Sequence, residues 1–210
     1  MHTIIKNLLD IESKINNKAK IIAVSKTFPI DKILPLIEHG HTDFGENKVQ
    51  EATEKWTEIK KINSQIKLHM IGKLQTNKVK FAVQIFDYIH SVDSEKLAKK
   101  IADESKKLNK KIKIFIQVNI GDEEQKSGIN KNELDQLVFY SKEIGLNVIG
   151  LMCIPPANID TKGYFEEMNK LNKALGFTEL SMGMSSDFDI AVKHSSTYVR
   201  VGSSIFGKRF

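Results

Sequence analysis

A repeated alternation constrains this chain more than any other feature. Strand-like apolar runs recur at 20–25, 42–45, 67–71, 88–92, 113–120, 147–152, 179–182 and 197–201. Stretches with helical spacing follow at about 30–39, 47–61, 75–84, 95–108, 132–144, 161–175 and 186–193, with a short helical turn around 205. The first run holds Ile21-Ile22-Ala23-Val24, apolar throughout, as a strand buried on both faces must be. The fifth alternates through Ile114, Ile116, Val118 and Ile120. Asp93 and Ser94 offer an N-cap for the helix at 95–108. Eight strands, each followed by a helix, predict an α/β fold: a closed (β/α)8 barrel of the TIM type, one domain over residues 1–210. An open doubly wound sheet is the alternative. Residues 1–11 form an extra amphipathic helix, expected to pack outside the barrel or over its base.

Composition narrows the partners. No apolar stretch approaches the length of a membrane span. The N-terminus has no apolar signal core with a cleavage site. A single cysteine, Cys153, allows no internal disulfide and fits a reducing compartment, so a cytoplasmic protein without a membrane partner is expected. A net charge of +6 raises the question of nucleic acid. Yet of 32 basic residues only Arg200 and Arg209 are arginine, and base and phosphate readout favours the arginine fork. The lysines mix with Glu and Asp along helices, as on solvated faces. No nucleic-acid partner is expected.

The polar motifs fall at strand ends, which in a barrel share one face. Lys26 closes the first strand. There its ammonium is either partly desolvated, and so able to attack an aldehyde, or snorkels to solvent. Both readings stand on that segment alone. Gly45-Glu46-Asn47 ends the second strand, His69 lies in the third and Gly72 closes it, Ser91 and Asp93 end the fourth, and Asn119 ends the fifth. Ser181-Met182-Gly183-Met184-Ser185 and Arg200-Val201-Gly202-Ser203-Ser204 end the seventh and eighth. The glycines permit close backbone approach, and the serines with nearby N–H groups can face a phosphate. Equally, they can be plain turns and caps; Lys26 beside the eighth strand tips the balance toward a cradle.

Other chemistries find less support. His39 and His41 stand two apart with no carboxylate to complete a metal site, and no metal is expected. His2 and His90 have no evident partners. Trp56 reads as core. Met152 and Cys153 read as lining the barrel mouth, with Cys153 a small filler rather than a nucleophile.

These residues together resemble the pyridoxal phosphate homeostasis proteins over nearly the whole chain. The resemblance is carried by Ala23-Val24-Ser25-Lys26-Thr27, by Phe44-Gly45-Glu46-Asn47-Lys48-Val49-Gln50-Glu51 and by His69-Met70-Ile71-Gly72-Lys73-Leu74-Gln75-Thr76-Asn77-Lys78. It continues through Ser91-Val92-Asp93, Lys126-Ser127-Gly128, Gly150-Leu151-Met152, Leu180 to Ser185, and Arg200 to Gly207. It implies a barrel like the N-terminal domain of alanine racemase, a fold type III arrangement with pyridoxal 5'-phosphate as cofactor. Lys26 would be the Schiff-base lysine. Ser185, Gly202 and Ser203 would hold the phosphate, and Arg200 would approach the pyridine nitrogen, weakening the ring as an electron sink. Asn47 and His69 would flank the ring. Leu68, Met70 and Lys73 depart from the family's usual Trp-His-aromatic pattern and its proline.

The resemblance further implies a carrier and regulator of pyridoxal phosphate, not an enzyme, a monomer serving apo-enzymes that use the cofactor. A racemase needs a second acid or base on the opposite cofactor face. Racemases take it from a C-terminal domain, for which this chain, ending at Phe210, is expected to have no room. A low-activity amino-acid racemase is the alternative, and a sugar-phosphate-binding barrel a third.

Overall fold

The computed structural model describes residues 2–123, 125 and 127–207; Lys126, part of one motif above, lies outside them. Helix α1 (Thr3–Ile15) precedes β1 (Lys20–Val24) and α2 (Ile30–Glu38). Then come β2 (Asp43–Glu46), α3 (Val49–Ile62), β3 (Lys67–Met70), a 3-10 turn (Thr76–Lys78) and α4 (Val79–Ile85). After β4 (Tyr88–Val92) and α5 (Glu95–Lys107) come β5 (Lys113–Val118), a 3-10 turn (Lys131–Glu133) and α6 (Leu134–Glu143). The chain closes through β6 (Asn147–Cys153), α7 (Lys162–Ala174), β7 (Glu179–Met184), α8 (Phe188–Lys193), β8 (Tyr198–Val201) and the short α9 (Ser203–Phe206).

The eight strands are parallel, pair in chain order and close into a barrel where β1 meets β8. The doubly wound alternative is therefore excluded. The strands carry two apolar faces because the barrel has two cores. Ile22, Tyr88, Phe115, Met152 and Tyr198 fill its inside. Their strand neighbours Ala23, Ile89, Ile114, Leu151, Cys153 and Val199 face the helices. Cys153 thus alternates with Met152 and points away from the mouth, correcting the expectation that it lines it. Three register shifts, in β4–β5, β5–β6 and β7–β8, reset the alternation locally.

Helix α1 packs on the outside, against α9, α2 and α8. Its buried stripe of Ile4, Leu8, Ile11 and Ile15 follows helical periodicity, and Asn7 Nδ2 donates to Ile205 O at 2.9 Å. Ser94 caps α5 as its sequence promised, accepting from Leu97 N.

Candidate cofactor site

Lys26 follows β1 by two residues and is half-buried. Because Ala23 pairs with Val201, the segments that leave β1 and β8 run side by side: Lys26 and Ser204 each stand three residues past that pair. Gly202 fits the narrow space between them. A Cβ there would lie 3.3 Å from Val24 Cβ and 3.4 Å from Val24 O. Across from it, β7 ends in a tight turn in which Asp187 Oδ1 accepts from Met184 N at 2.7 Å. That turn presents Ser185, whose hydroxyl oxygen accepts from Gly202 N at 3.3 Å and Ser204 N at 3.4 Å. Ser203 is exposed at the start of α9. The structure thus brings Ser185, Gly202 and Ser203 together beside Lys26, with backbone amides converging on one small polar spot. Such a donor set suits a phosphate.

Asn47 leaves β2 on the same face and is half-buried. Gly72, past β3, presses against it: a Cβ there would stand 2.5 Å from Asn47 O. Asn47, Gln50, Met70, Lys73 and Gln75 share a cavity of about 360 Å³ beside these strand ends. A cavity of about 730 Å³ lies at the other end of the barrel, around Lys106, Lys110, Ile112 and Asn147, away from the strand-end motifs.

Arg200 is 4% exposed inside the barrel. Its guanidinium donates to Ser181 Oγ, within the neighbouring strand β7, at 2.7 Å and to the carbonyl of Cys153, the last residue of β6, at 2.8 Å. His69 is placed deeper than a ring-flanking residue on the rim. Its ring is fully buried and stacks on Tyr88, the first residue of β4, at 4.2 Å. Its Nε2 meets Asp43 Oδ1 at 3.0 Å, and its Nδ1 meets His90 Nε2 at 3.0 Å. His90 Nδ1 lies 2.9 Å from Ser181 Oγ. A continuous polar chain therefore crosses the interior from Arg200 through Ser181, His90 and His69 to Asp43.

The proton positions in this chain follow from its two ends. Burial, the largest single influence, pushes Asp43's carboxyl up, but His69, Thr42 and His41 together outweigh it and leave the group below its ordinary value. An ionised carboxylate only accepts, so His69 Nε2 carries the hydrogen. Burial holds His69 below its ordinary value against the pull of Asp43. It holds His90 well below, aided by repulsion from His69 and Arg200. Two neutral rings leave one order: Arg200 donates to Ser181, Ser181 to His90, His90 to His69, and His69 to Asp43.

Sequence reading missed these partnerships. His90, judged to lack partners, has two, and Asp43 was not singled out. Strand alternation could have flagged both as inward residues; their meeting requires barrel closure. Burial raises the Cys153 thiol to about 12 despite nearby Arg200, so it is a poor nucleophile.

Over residues 1–209 the sequence matches the family described as "Alanine racemase, N-terminal domain". A pyridoxal phosphate homeostasis protein of Aquifex aeolicus is 37% identical over 203 residues, spanning 92% of this chain and 88% of the relative. One from Escherichia coli is 34% identical, spanning 100% and 98%. This chain belongs to the pyridoxal phosphate homeostasis protein family. PipY of Synechococcus elongatus, solved without and with PLP bound, is similar in structure: TM-score 0.87 and 34% identity, the PLP-bound form covering 97% of this chain and 100% of its own. An alanine racemase of Clostridium difficile shares the fold, with a TM-score of 0.78 at 15% identity, over 99% of this chain and 57% of the racemase.

Proposed function

We propose that this protein binds pyridoxal 5'-phosphate at the barrel mouth through Lys26 and serves its homeostasis in the cytoplasm rather than amino-acid turnover. The juxtaposition of Lys26 with the Ser185–Gly202–Ser204 cradle carries the reading: a strand-end amine and an anion site stand on adjoining strands of one barrel. The cofactor supplies an aldehyde that a lysine amine can take up, and a phosphate that needs donors. Ser185, Gly202 and Ser203 furnish those donors, and Arg200 offers a buried cation whose hydrogen-bond partners are neutral. Asn47 flanks the mouth from β2. The homeostasis role is supported by the curated relatives of that name and by PipY with PLP bound.

Two features support a carrier over a racemase. The two tyrosines inside the barrel, Tyr88 and Tyr198, turn their hydroxyls toward the strand-start lysines Lys113 and Lys20, at 3.2 and 3.4 Å, away from Lys26. Burial beside Tyr88 also holds Tyr198 well above its ordinary value, which keeps it protonated and leaves no phenolate to accept a proton. We further propose a monomer that exchanges the cofactor with apo-enzymes; the single cysteine, buried in the helix-facing core, fits a reducing compartment.

Borohydride reduction of the yellow protein followed by peptide mapping tests the reading. The label is expected on the peptide holding Lys26, and Lys26→Ala should be colourless. A label elsewhere with Lys26→Ala still yellow overturns the assignment. Turnover of D- or L-alanine or serine at roughly 1 s⁻¹ or faster, the lower end for ordinary enzymes, overturns the carrier role.

A further inference from the structure

Lys26 sits in a turn whose neighbours on both sides are gripped by one helix. Phe28 N donates to Ser25 O at 3.1 Å, closing a β-turn with Lys26 and Thr27 at its centre. Thr27 has φ 68°. That left-handed conformation is typical of Gly or Asn at this turn position and costly for a β-branched residue. Such a conformation persists only where surrounding contacts determine it.

Those contacts come from β2 and α3. Glu51 Oε1 accepts the Thr27 N–H at 2.5 Å, on the far side of Lys26. On the near side, Lys55 Nζ donates to Ser25 O at 2.9 Å, and the Ser25 hydroxyl donates to Glu46 Oε1 at 2.8 Å. Lys55 also joins the two carboxylates, at 2.9 Å from Glu46 Oε1 and 3.0 Å from Glu51 Oε1. Trp56 Nε1 donates to Glu46 Oε1 at 2.9 Å, and both side chains are fully buried. Burial pushes the Glu51 carboxyl up, but the Thr27 amide and Lys55 outweigh it and keep the group below its ordinary value. The grip is therefore ionic and directional, not only a packing contact.

We infer that Glu46, Glu51 and Lys55 are positioning residues for Lys26: they hold the strained Thr27 turn and so fix where the Lys26 side chain leaves the backbone. The inference rests on the reading of Lys26 as the cofactor attachment point. Glu51 is the decisive member, because it alone among these three grips the strained residue. Glutamine at 51 keeps an acceptor oxygen for the Thr27 amide; alanine does not. Glycine at 27 adopts a positive φ at little cost and lessens the turn's need for Glu51.

The experiment compares wild type, Glu51→Ala, Glu51→Gln, Thr27→Gly and Thr27→Gly/Glu51→Ala, each as the full chain. Pyridoxal phosphate is added, the bound chromophore is followed by absorbance, and urea melts and the apo-protein Thr27 amide NMR shift, where Thr27 is present, are recorded in parallel. Glu51→Ala should weaken binding about tenfold or more, the usual consequence of losing a hydrogen bond to a charged group, and shift the Thr27 amide upfield. Glu51→Gln should retain most of the affinity. Thr27→Gly should restore much of it in the Glu51→Ala background. Wild-type binding in Glu51→Ala, or a loss that Thr27→Gly leaves untouched, overturns the inference. Failure of the underlying reading shows separately, as a wild-type chromophore that is not attached to Lys26.

Discussion

The polar chain inside the barrel predicts an acid-sensitive fold. His69 and His90 are fully buried, and their environments hold them below the ordinary 6.5; half-buried His41, bonded through Nε2 to Asp43 O, is also held below it, first by burial. In the unfolded chain each takes up a proton near pH 6.5; in the folded chain each resists it. The unfolded state then binds more protons below that pH, so stability falls as pH falls. A histidine that stays neutral when folded costs about 1.4 kcal/mol between pH 7.5 and 5.5. His90, whose shift is the largest in kind, should contribute nearly all of that, and His69 and His41 a share each. The expected loss is roughly 2–4 kcal/mol, a large part of the 5–15 kcal/mol typical of a domain. Asp43 and Glu51, held low, act only below the carboxylate range, and Asp93, raised by burial, has the opposite sign. Urea unfolding at pH 7.5, 6.5 and 5.5 measures the slope. His90→Phe should be less stable throughout, since Ser181 and His69 lose a partner, but its fall over the same range should be smaller by nearly all of that roughly 1.4 kcal/mol, the share of His90. A flat wild-type profile, or equal slopes in the two proteins, would refute the neutral-histidine chain.

Two further outcomes follow from the cradle. Gly183 has φ 92°, and a Cβ there would stand 2.5 Å from Ala191 Cβ on α8; Gly183→Ala should therefore cost roughly 2–5 kcal/mol in thermal unfolding, with Ala191→Gly recovering the steric part only. Ser203→Ala should weaken pyridoxal phosphate binding by about 1–3 kcal/mol in a spectral titration, and an unchanged affinity would move the phosphate elsewhere.

The barrel was legible because its strands are apolar on both faces and its helices are not. Errors gathered at the ends. The first strand stops at Val24 rather than Ser25, because the Ser25 hydroxyl and carbonyl turn to Glu46 and Lys55. The helix expected from about 75 begins with a 3-10 turn, and the strand expected to reach Ile120 ends at Val118, where Asn119 folds back to bond Glu123. Lys26, Ser185 and Gly202 could be read as neighbours because each ends a strand. The depth of His69 could not be read that way. A motif gives position along the strand, whereas depth depends on which side chains fill the layer beneath. The Glu51–Thr27 contact was also hidden, since nothing in Ser25-Lys26-Thr27 announces a threonine with positive φ.

The polar interior has a physical reason that joins fold to site. A guanidinium buried under the mouth must be met by acceptors, and a carboxylate beside it would be the obvious choice. Here Arg200 meets a hydroxyl and a backbone carbonyl instead, so its charge stays available to whatever lies above it. The hydroxyl must then pass on its own hydrogen, and the two imidazoles pass theirs, until the chain ends on a carboxylate. That carboxylate, Asp43, begins β2, in register with Lys67 of β3 and partly open to solvent. Water there lowers the cost of its charge. The arrangement places four hydrogen bonds between the two charges and joins them by neutral groups whose hydrogens all point one way. A carboxylate substituted for Ser181 would shorten that separation and cancel the cation locally. The chain as it stands keeps Arg200 positive, which suits the anionic ligand proposed at Lys26.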